Sequence, residues 1–252
     1  MEEPVLTVAQ MRALDEYVIN RDDAGTKLMG RAGEALADEL TNFQNIAVVC
    51  GSGNNGGDGY AAVYALQERN LLDEKRVTIF YTKEPRSEES KFFLTSITHE
   101  NVNIIEYEKG CLDSTFDVIV DCLLGTGFSG EPMGTIKDAI EEINNVGKPM
   151  AAMNGKINVS PASAMAAMNF TNGNCAESRM AAMNVPVISM DINSGVNGDT
   201  GDGTIAVKSD LTLSVGYMKT GMLKPCFKKW AKQVKNRNIG YTEQDIVDAG
   251  VL

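Results

Sequence analysis

Apolar and polar positions alternate along this chain in two distinct rhythms. Residues 7–41 place Met11, Leu14 and Val18, then Leu28, Met29, Ala32, Leu36 and Leu40, at helical spacing. Asn45-Ile46-Ala47-Val48-Val49-Cys50 shows no alternation, which is how a strand covered on both faces of a parallel sheet reads. A helix is expected over 57–69, a strand over 76–81 and a helix over 87–99. Further strands are expected at 102–107, 116–121, 186–191 and 211–217, with a helix at 135–145. Strand and helix follow each other at βα spacing, so the fold class is α/β with an open, mostly parallel sheet. No linker divides the chain, so 1–252 is expected to form one domain.

One stretch breaks the rhythm. Met-Ala-Ala-Met-Asn occurs three times, at 150–154, 165–169 and 180–184, separated by Gly, Asn, Ser and Pro. A 15-residue period with two complete units is too short for a solenoid, whose repeats run to roughly 20–50 residues. The segment 150–186 therefore reads as a repeat-containing insertion, and its removal would leave 215 residues. It would enter before the strand ending at Asp191, at the sheet edge away from the strand ends. Its loss is expected to leave the chemistry intact.

Composition narrows the chemistry. The formal charge of −11 opposes binding to nucleic acid or to an anionic membrane surface, both of which call for clustered Lys and Arg. The single histidine, His99, would have to serve any His-ligated zinc site or Ser-His-Asp triad, and it reads as a solvated residue at a helix end. The five cysteines are scattered with no C-x-x-C pair, and Cys50, Cys111 and Cys122 adjoin or lie in apolar strands. They read as reduced, buried thiols. No signal peptide or transmembrane run is visible and Met1-Glu2-Glu3-Pro4 is acidic, so a cytoplasmic location is expected, with a mitochondrial one left open. Lys224 to Arg237, interleaved with Phe227 and Trp230, reads as a solvated amphipathic C-terminal helix.

Three glycine-rich turns each follow a strong strand: Gly51-Ser52-Gly53-Asn54-Asn55-Gly56-Gly57-Asp58-Gly59, Gly125-Thr126-Gly127-Phe128-Ser129-Gly130, and Asp191-Ile192-Asn193-Ser194-Gly195. In an open α/β sheet such turns lie together beyond the strands' carboxyl ends, where ligands bind. The first two fit G-x-G-x-x-G, but the ribose-binding acid expected at the next strand's end is missing, because Thr82-Lys83 stands there. Asp58 near a helix start would also repel a phosphate. The turn is thus not that of an ordinary nicotinamide-dependent dehydrogenase. Its carboxamides and carboxylate suit a cation, a ribose or a water, and the glycines alone would serve a tight turn. Asn55, Asp121 and Ser194 come from three strand ends and carry the oxygen donors a hard cation takes. Asp121 and Asp191 each end an apolar strand, where a carboxylate is costly to bury without partners. Asp191 is the best acid/base candidate on that argument. Lys219 follows the last strand and is a conditional acid or a phosphate partner.

Together these residues resemble the NAD(P)H-hydrate epimerase family, the YjeF N-terminal domain. The resemblance is carried by 6–15 with Leu28-Met29-Gly30-Arg31-Ala32-Gly33, by the Gly51–Gly59 turn, by Val120-Asp121-Cys122-Leu123-Leu124-Gly125-Thr126-Gly127, and by Met190–Gly195 with Asp199-Thr200-Gly201. It implies a three-layer αβα, Rossmann-like fold and epimerisation of hydrated NADH or NADPH between S and R forms. It implies that Asn54, Asn55, Gly56, Gly57 and Asp58, together with Gly125, Thr126, Gly127, Phe128, Ser129, Gly130 and Glu131, contact the substrate, as does Asp191. It implies that Asn55, Asp121 and Ser194 hold one potassium ion. Asp191 and Lys219 are then the candidates for handling the proton at the carbon bearing the hydroxyl. A homodimer and a separate NAD(P)H-hydrate dehydratase are the implied partners. The rival reading is a non-enzymatic dimerisation scaffold of the same fold, which has no need of Asn55, Asp58, Asp121 and Asp191. Family members usually carry proline where Asn193 stands, so a looser turn before Ser194 is expected. An anionic dinucleotide would have to be captured by local N–H groups against the field of the whole chain.

Overall fold

The structure is a computed structural model and describes residues 4–22, 24–147 and 185–251. Seven parallel strands form one sheet: β2 (Asn45–Cys50), β3 (Arg76–Tyr81), β4 (Val102–Glu106), β5 (Val118–Cys122), β6 (Val187–Met190), β7 (Ser209–Val215) and β9 (Ala231–Arg237). Their order is β4-β3-β2-β5-β6-β7-β9. The chain begins this sheet at β2, runs outward through β3 and β4, then returns to start again at β5. Strand order reverses between β2 and β5, and this is where an open parallel sheet presents its crevice.

The period of two along each strand sorts the core into layers. Ile46, Val48 and Cys50 of β2, with Val118, Val120 and Cys122 of β5, face α1 (Val8–Asp22), α2 (Gly25–Leu40), α3 (Asn54–Glu68) and α4 (Glu88–Ser96). Ala47, Val49 and Ile119 point the other way, onto Ala139, Ile140 and Ile143 of α5 (Gly134–Ile143). Every one of these side chains is buried. Burial on both faces explains why the strand sequences show no polar alternation. The expected three-layer αβα architecture is the one observed.

A small second pairing sits apart from the main sheet. β1 (Val5–Leu6) runs parallel to β8 (Met218–Lys219), with Leu6 opposite Lys219. The short helix α6 (Glu243–Asp248) closes against α1, where the Arg21 guanidinium bonds the Asp245 carboxylate and Gln10 Nε2 donates to the Val251 carbonyl over 2.9 Å.

Four expectations need correction. The helix expected from 57 begins at Asn54, so the Asn-Asn-Gly-Gly turn is itself the first turn of α3. Lys224 to Arg237 is not a solvated helix: Pro225–Lys229 is a 3-10 turn and Ala231–Arg237 is edge strand β9. Its Phe227 and Trp230 are buried against Ile192, Val196 and Met222. His99 lies beyond the end of α4, with Nε2 3.2 Å from Asp73, remote from the glycine turns. The turn before Ser194 is not loose. Asn193 is fully buried, its Nδ2 donates to Val207 O, Ser209 Oγ and Trp230 O, and its Oδ1 accepts from Thr212 Oγ1 at 2.6 Å. Cys50 and Cys122 are buried free thiols as expected, and Cys111 is half-buried. The expected insertion at 150–186 lies, except for Val185 and Pro186, outside the described residues. Among the described residues no helix is long and apolar enough to cross a membrane.

Candidate active site

Beyond the carboxyl ends of β2, β5 and β6, three turns converge at the reversal of strand order. They pack backbone to backbone. A Cβ on Gly51 would lie 1.9 Å from Leu123 O, and one on Gly56 would lie 1.9 Å from Gly51 O. Neither position has room for any other residue, so these two glycines set the closeness of the β2 and β5 turns.

The first turn opens α3. Its N-cap is Gly53, with no side-chain cap and no acid in the first turn, so the terminal N–H groups are left to a ligand. Asn54 is exposed, Gly56 and Gly57 are buried, and Asp58 is half-buried. Asn55 is buried, and among the described residues neither its Nδ2 nor its Oδ1 has a hydrogen-bond partner. A buried carboxamide left wholly unpaired costs several kcal/mol, roughly 1–3 for each unsatisfied group. The side chain is therefore suited to a ligand rather than to the fold.

Asp121 ends β5 and is fully buried. It accepts from Ser194 Oγ at 2.5 Å, Ser194 N at 3.0 Å and Ser189 Oγ at 2.9 Å. Burial pushes its carboxyl above the usual range, and these donors pull it back. Ser194 Oγ also accepts from Leu124 N at 2.8 Å, which ties the second turn to the third. Asp121 and Ser194 are thus in direct contact. Asn55 reaches the same region through Gly125, whose Cβ position lies 3.3 Å from Asn55 Cβ and 3.1 Å from Asp191 Oδ2.

Asp191 has φ +63°, a left-handed conformation unusual for a side-chain-bearing residue. Its Oδ1 accepts from Lys219 Nζ at 2.5 Å and its Oδ2 from Thr126 N at 3.1 Å. Its side chain retains 13% exposure, against 1% for Lys219. The Lys219 ammonium also donates to Val215 O at 2.8 Å and Ser214 Oγ at 3.4 Å. Its three N–H directions are therefore occupied inside the protein. Phe128, Ser129, Gly130 and Glu131 line a cavity of about 240 Å³ together with residues that follow Ser194, including Val196 and Asn197. The structure so gathers the predicted residues of all three turns onto one sheet edge.

Two residues of this neighbourhood escaped the sequence reading. Asp15 of α1 and Tyr241 lie far apart in sequence, yet Tyr241 Oη donates to Asp15 Oδ1 at 2.5 Å. Burial raises the Asp15 carboxyl to about 6, with Tyr241 opposing and Asp191 adding to the rise. The helical spacing of Asp15 is that of an ordinary surface position, and only the helix's placement over the third turn gives it meaning.

The family model described as YjeF-related protein N-terminus matches residues 25–221, and the chain belongs to that family. An NAD(P)H-hydrate epimerase of Limosilactobacillus fermentum is 28% identical over 88% of this chain and 90% of its own length. A namesake from Plasmodium knowlesi is 26% identical over 88% of this chain, which spans 66% of that protein. A bifunctional NAD(P)H-hydrate repair enzyme Nnr of Methanospirillum hungatei is 32% identical over 58% of this chain, which spans 32% of that longer protein. Among solved structures, yeast ynu0 (YNL200c) superposes with a TM-score of 0.67 at 17% identity, covering 98% of this chain and 93% of the yeast chain. That likeness bears on the fold.

Proposed function

We propose that this chain is an NAD(P)H-hydrate epimerase, an isomerase that interconverts the S and R forms of hydrated NADH and NADPH. The observation that carries the reading is Asp191, held at positive φ between Lys219 and Thr126 N at the meeting of three turns. The relatives named for this activity that align over most of both chains support it. A scaffold has no use for a strained, ion-paired carboxylate or for the unpaired Asn55 amide.

The substrate carries a hydroxyl on the ring carbon beside the ring nitrogen. Loss of that hydroxyl leaves an iminium cation, and return of water to the other face inverts the centre. The Asp191 carboxylate stabilises the cation as it forms. Lys219 acts through Asp191 in this reading, since its ammonium donates to Asp191, Val215 O and Ser214 Oγ. Its part is to hold the Asp191 carboxylate in place. The N–H groups opening α3 and those of the Gly125–Glu131 turn take the dinucleotide's anionic groups. Asn55, Asp121 and Ser194 would hold a potassium ion, and the partnerless Asn55 amide fits that use. Such an ion would supply positive charge beside the buried Asp121. The homodimer and the separate dehydratase belong to the same reading.

The test follows S-to-R conversion of hydrated NADH by chromatography, with and without potassium. The unsubstituted chain converts, faster with the ion. Asp191→Asn lowers kcat by about 100-fold or more with KM little changed. A full rate in Asp191→Asn at unchanged affinity overturns the assignment.

A further inference from the structure

The proposed substrate is a dinucleotide, and its pyrophosphate has to enter a chain whose formal charge is −11. Backbone N–H groups at a helix start orient an anion but supply only a partial positive charge. The Lys219 ammonium is committed to Asp191, Val215 O and Ser214 Oγ inside the protein. The crevice therefore calls for a cation that is not engaged within the fold.

Such a cation stands on the segment that follows β3. That segment is tied to the turn opening α3: Thr82 N donates to Cys50 O at 2.9 Å, and Arg86 N donates to Ser52 O at 3.1 Å. Pro85 is buried, while Arg86 is exposed. The Arg86 side chain reaches the start of α3, where its Nη2 lies 3.9 Å from the Cβ position of Gly53, the N-cap of that helix. Among the described residues no hydrogen bond or ion pair ends on the guanidinium. Two acids close to it in sequence are placed elsewhere. Glu88 Oε1 accepts from Lys91 Nζ at 2.8 Å, and Glu89 Oε1 lies 2.8 Å from the Cβ position of Gly25.

Two helix starts meet here, with Ser90 Oγ of α4 2.2 Å from the Cβ position of Gly57 in α3. At α4, Ser87 Oγ accepts from Ser90 N at 3.2 Å, and Glu88 and Glu89 occupy the first turn. That end is capped and negative. The start of α3 has neither a side-chain cap nor an acid in its first turn. Its second residue, Asn55, is 6% exposed and carries the unpartnered carboxamide, with its Cβ 3.3 Å from the Cβ position of Gly125. Open N–H groups, an unpartnered carboxamide and a guanidinium without a carboxylate thus surround one helix end. The planar fork of a guanidinium matches the oxygens of a phosphate.

Resting on the epimerase reading, we propose that Arg86 is a substrate-binding residue whose guanidinium takes the pyrophosphate at the start of α3, the group that hydrated NADH and hydrated NADPH share. Where a dehydrogenase carries its ribose-binding acid this chain has Thr82-Lys83, and Arg86 three residues further on turns to the helix end. The residue acts in binding, away from the reacting ring, so both substrates depend on it alike.

The experiment uses the full chain. Titration calorimetry measures binding of ADP-ribose, which has the pyrophosphate and no nicotinamide ring, apart from any turnover. Arg86→Gln raises its Kd by about tenfold or more, as the loss of charge-assisted hydrogen bonds requires. Arg86→Lys, which keeps the charge and loses the fork, falls between. Added salt weakens binding to the unsubstituted chain more steeply than to Arg86→Gln. In turnover, Arg86→Gln raises KM by a similar factor for hydrated NADH and hydrated NADPH and leaves kcat near its original value. All three chains melt together, because the Arg86 side chain bonds nothing within the fold. ADP-ribose that fails to bind the unsubstituted chain, a Kd unchanged in Arg86→Gln, or a fall in kcat at constant KM overturns the proposal. A loss confined to hydrated NADPH overturns it as well, since the guanidinium would then read the 2′-phosphate. Absence of turnover in the unsubstituted chain overturns the epimerase reading, whereas the calorimetry alone decides whether Arg86 binds the pyrophosphate.

Discussion

Asp191 occupies a conformation that costs a residue with a side chain about 1–3 kcal/mol. It is held there by three bonds: Lys219 Nζ and Thr126 N to its carboxylate, and its own N–H to Leu213 O at 2.8 Å. Asp15 carries a second cost. Its carboxyl is raised from 3.8 to about 6, so the folded state disfavours the charged form. This penalty is absent below the unfolded value, grows between the two, and is full above the folded value. The difference corresponds to about 3 kcal/mol at neutral pH. Asp15→Asn, which keeps an acceptor for Tyr241, should therefore unfold at a higher temperature than the parent at about pH 7.5, with a smaller gain at about pH 5. Equal melting temperatures at the higher pH would contradict the assignment. The sequence reading found Asp191 because a carboxylate ending an apolar strand is conspicuous. It could not find Asp15, because a helix repeat shows which face is polar and not what that face meets.

At the scale of elements, the third turn shows how one side chain substitutes for a stiff backbone. Where a proline would fix φ directly, Asn193 ties the β6 turn to β7, to the segment before it and to Trp230 beside β9. Asn193→Ala should destabilise the chain by about 3 kcal/mol, because several buried partners lose their bonds at once. Chemical denaturation with an unchanged m-value measures this, and a loss below about 1 kcal/mol would show that the network is slack. The same region explains the misreading of Lys224 to Arg237. Lys232, Lys235 and Arg237 lie on an edge strand, where charge is a normal guard against further pairing, and they meet Asp210 and Glu39. A short strand rich in Lys carries no period-two signal. The central strands were legible because both their faces are covered.

For the whole molecule, the decisive feature is the reversal of strand order between β2 and β5. It places the crevice at one edge of the sheet, while α5 ends and β6 begins at the opposite edge. The segment 150–186 is thus entered and left away from the site. Deleting it puts Lys148-Pro149 where Val185-Pro186 now precede β6. The epimerase rate of that variant should stay within the same order of magnitude. A large loss of rate in a variant that still unfolds cooperatively would contradict it. Three glycine-rich turns are readable one at a time in the sequence, but their convergence depends on a strand order that local pattern does not encode.

The pairing of Leu6 with Lys219 carries a consequence for when the site comes into being. The lysine that steadies Asp191 is seated by a two-residue strand from before α1, so its placement waits on a contact spanning most of the chain. Such distant closures are the slow events of folding. During synthesis Asp191 and all three turns emerge before Lys219 does, and the carboxylate stands without its counter-ion in the interval. Assembly of the chemistry is thereby made a late reporter of correct topology: a chain with every turn formed but its first strand undocked has the pocket without the braced acid.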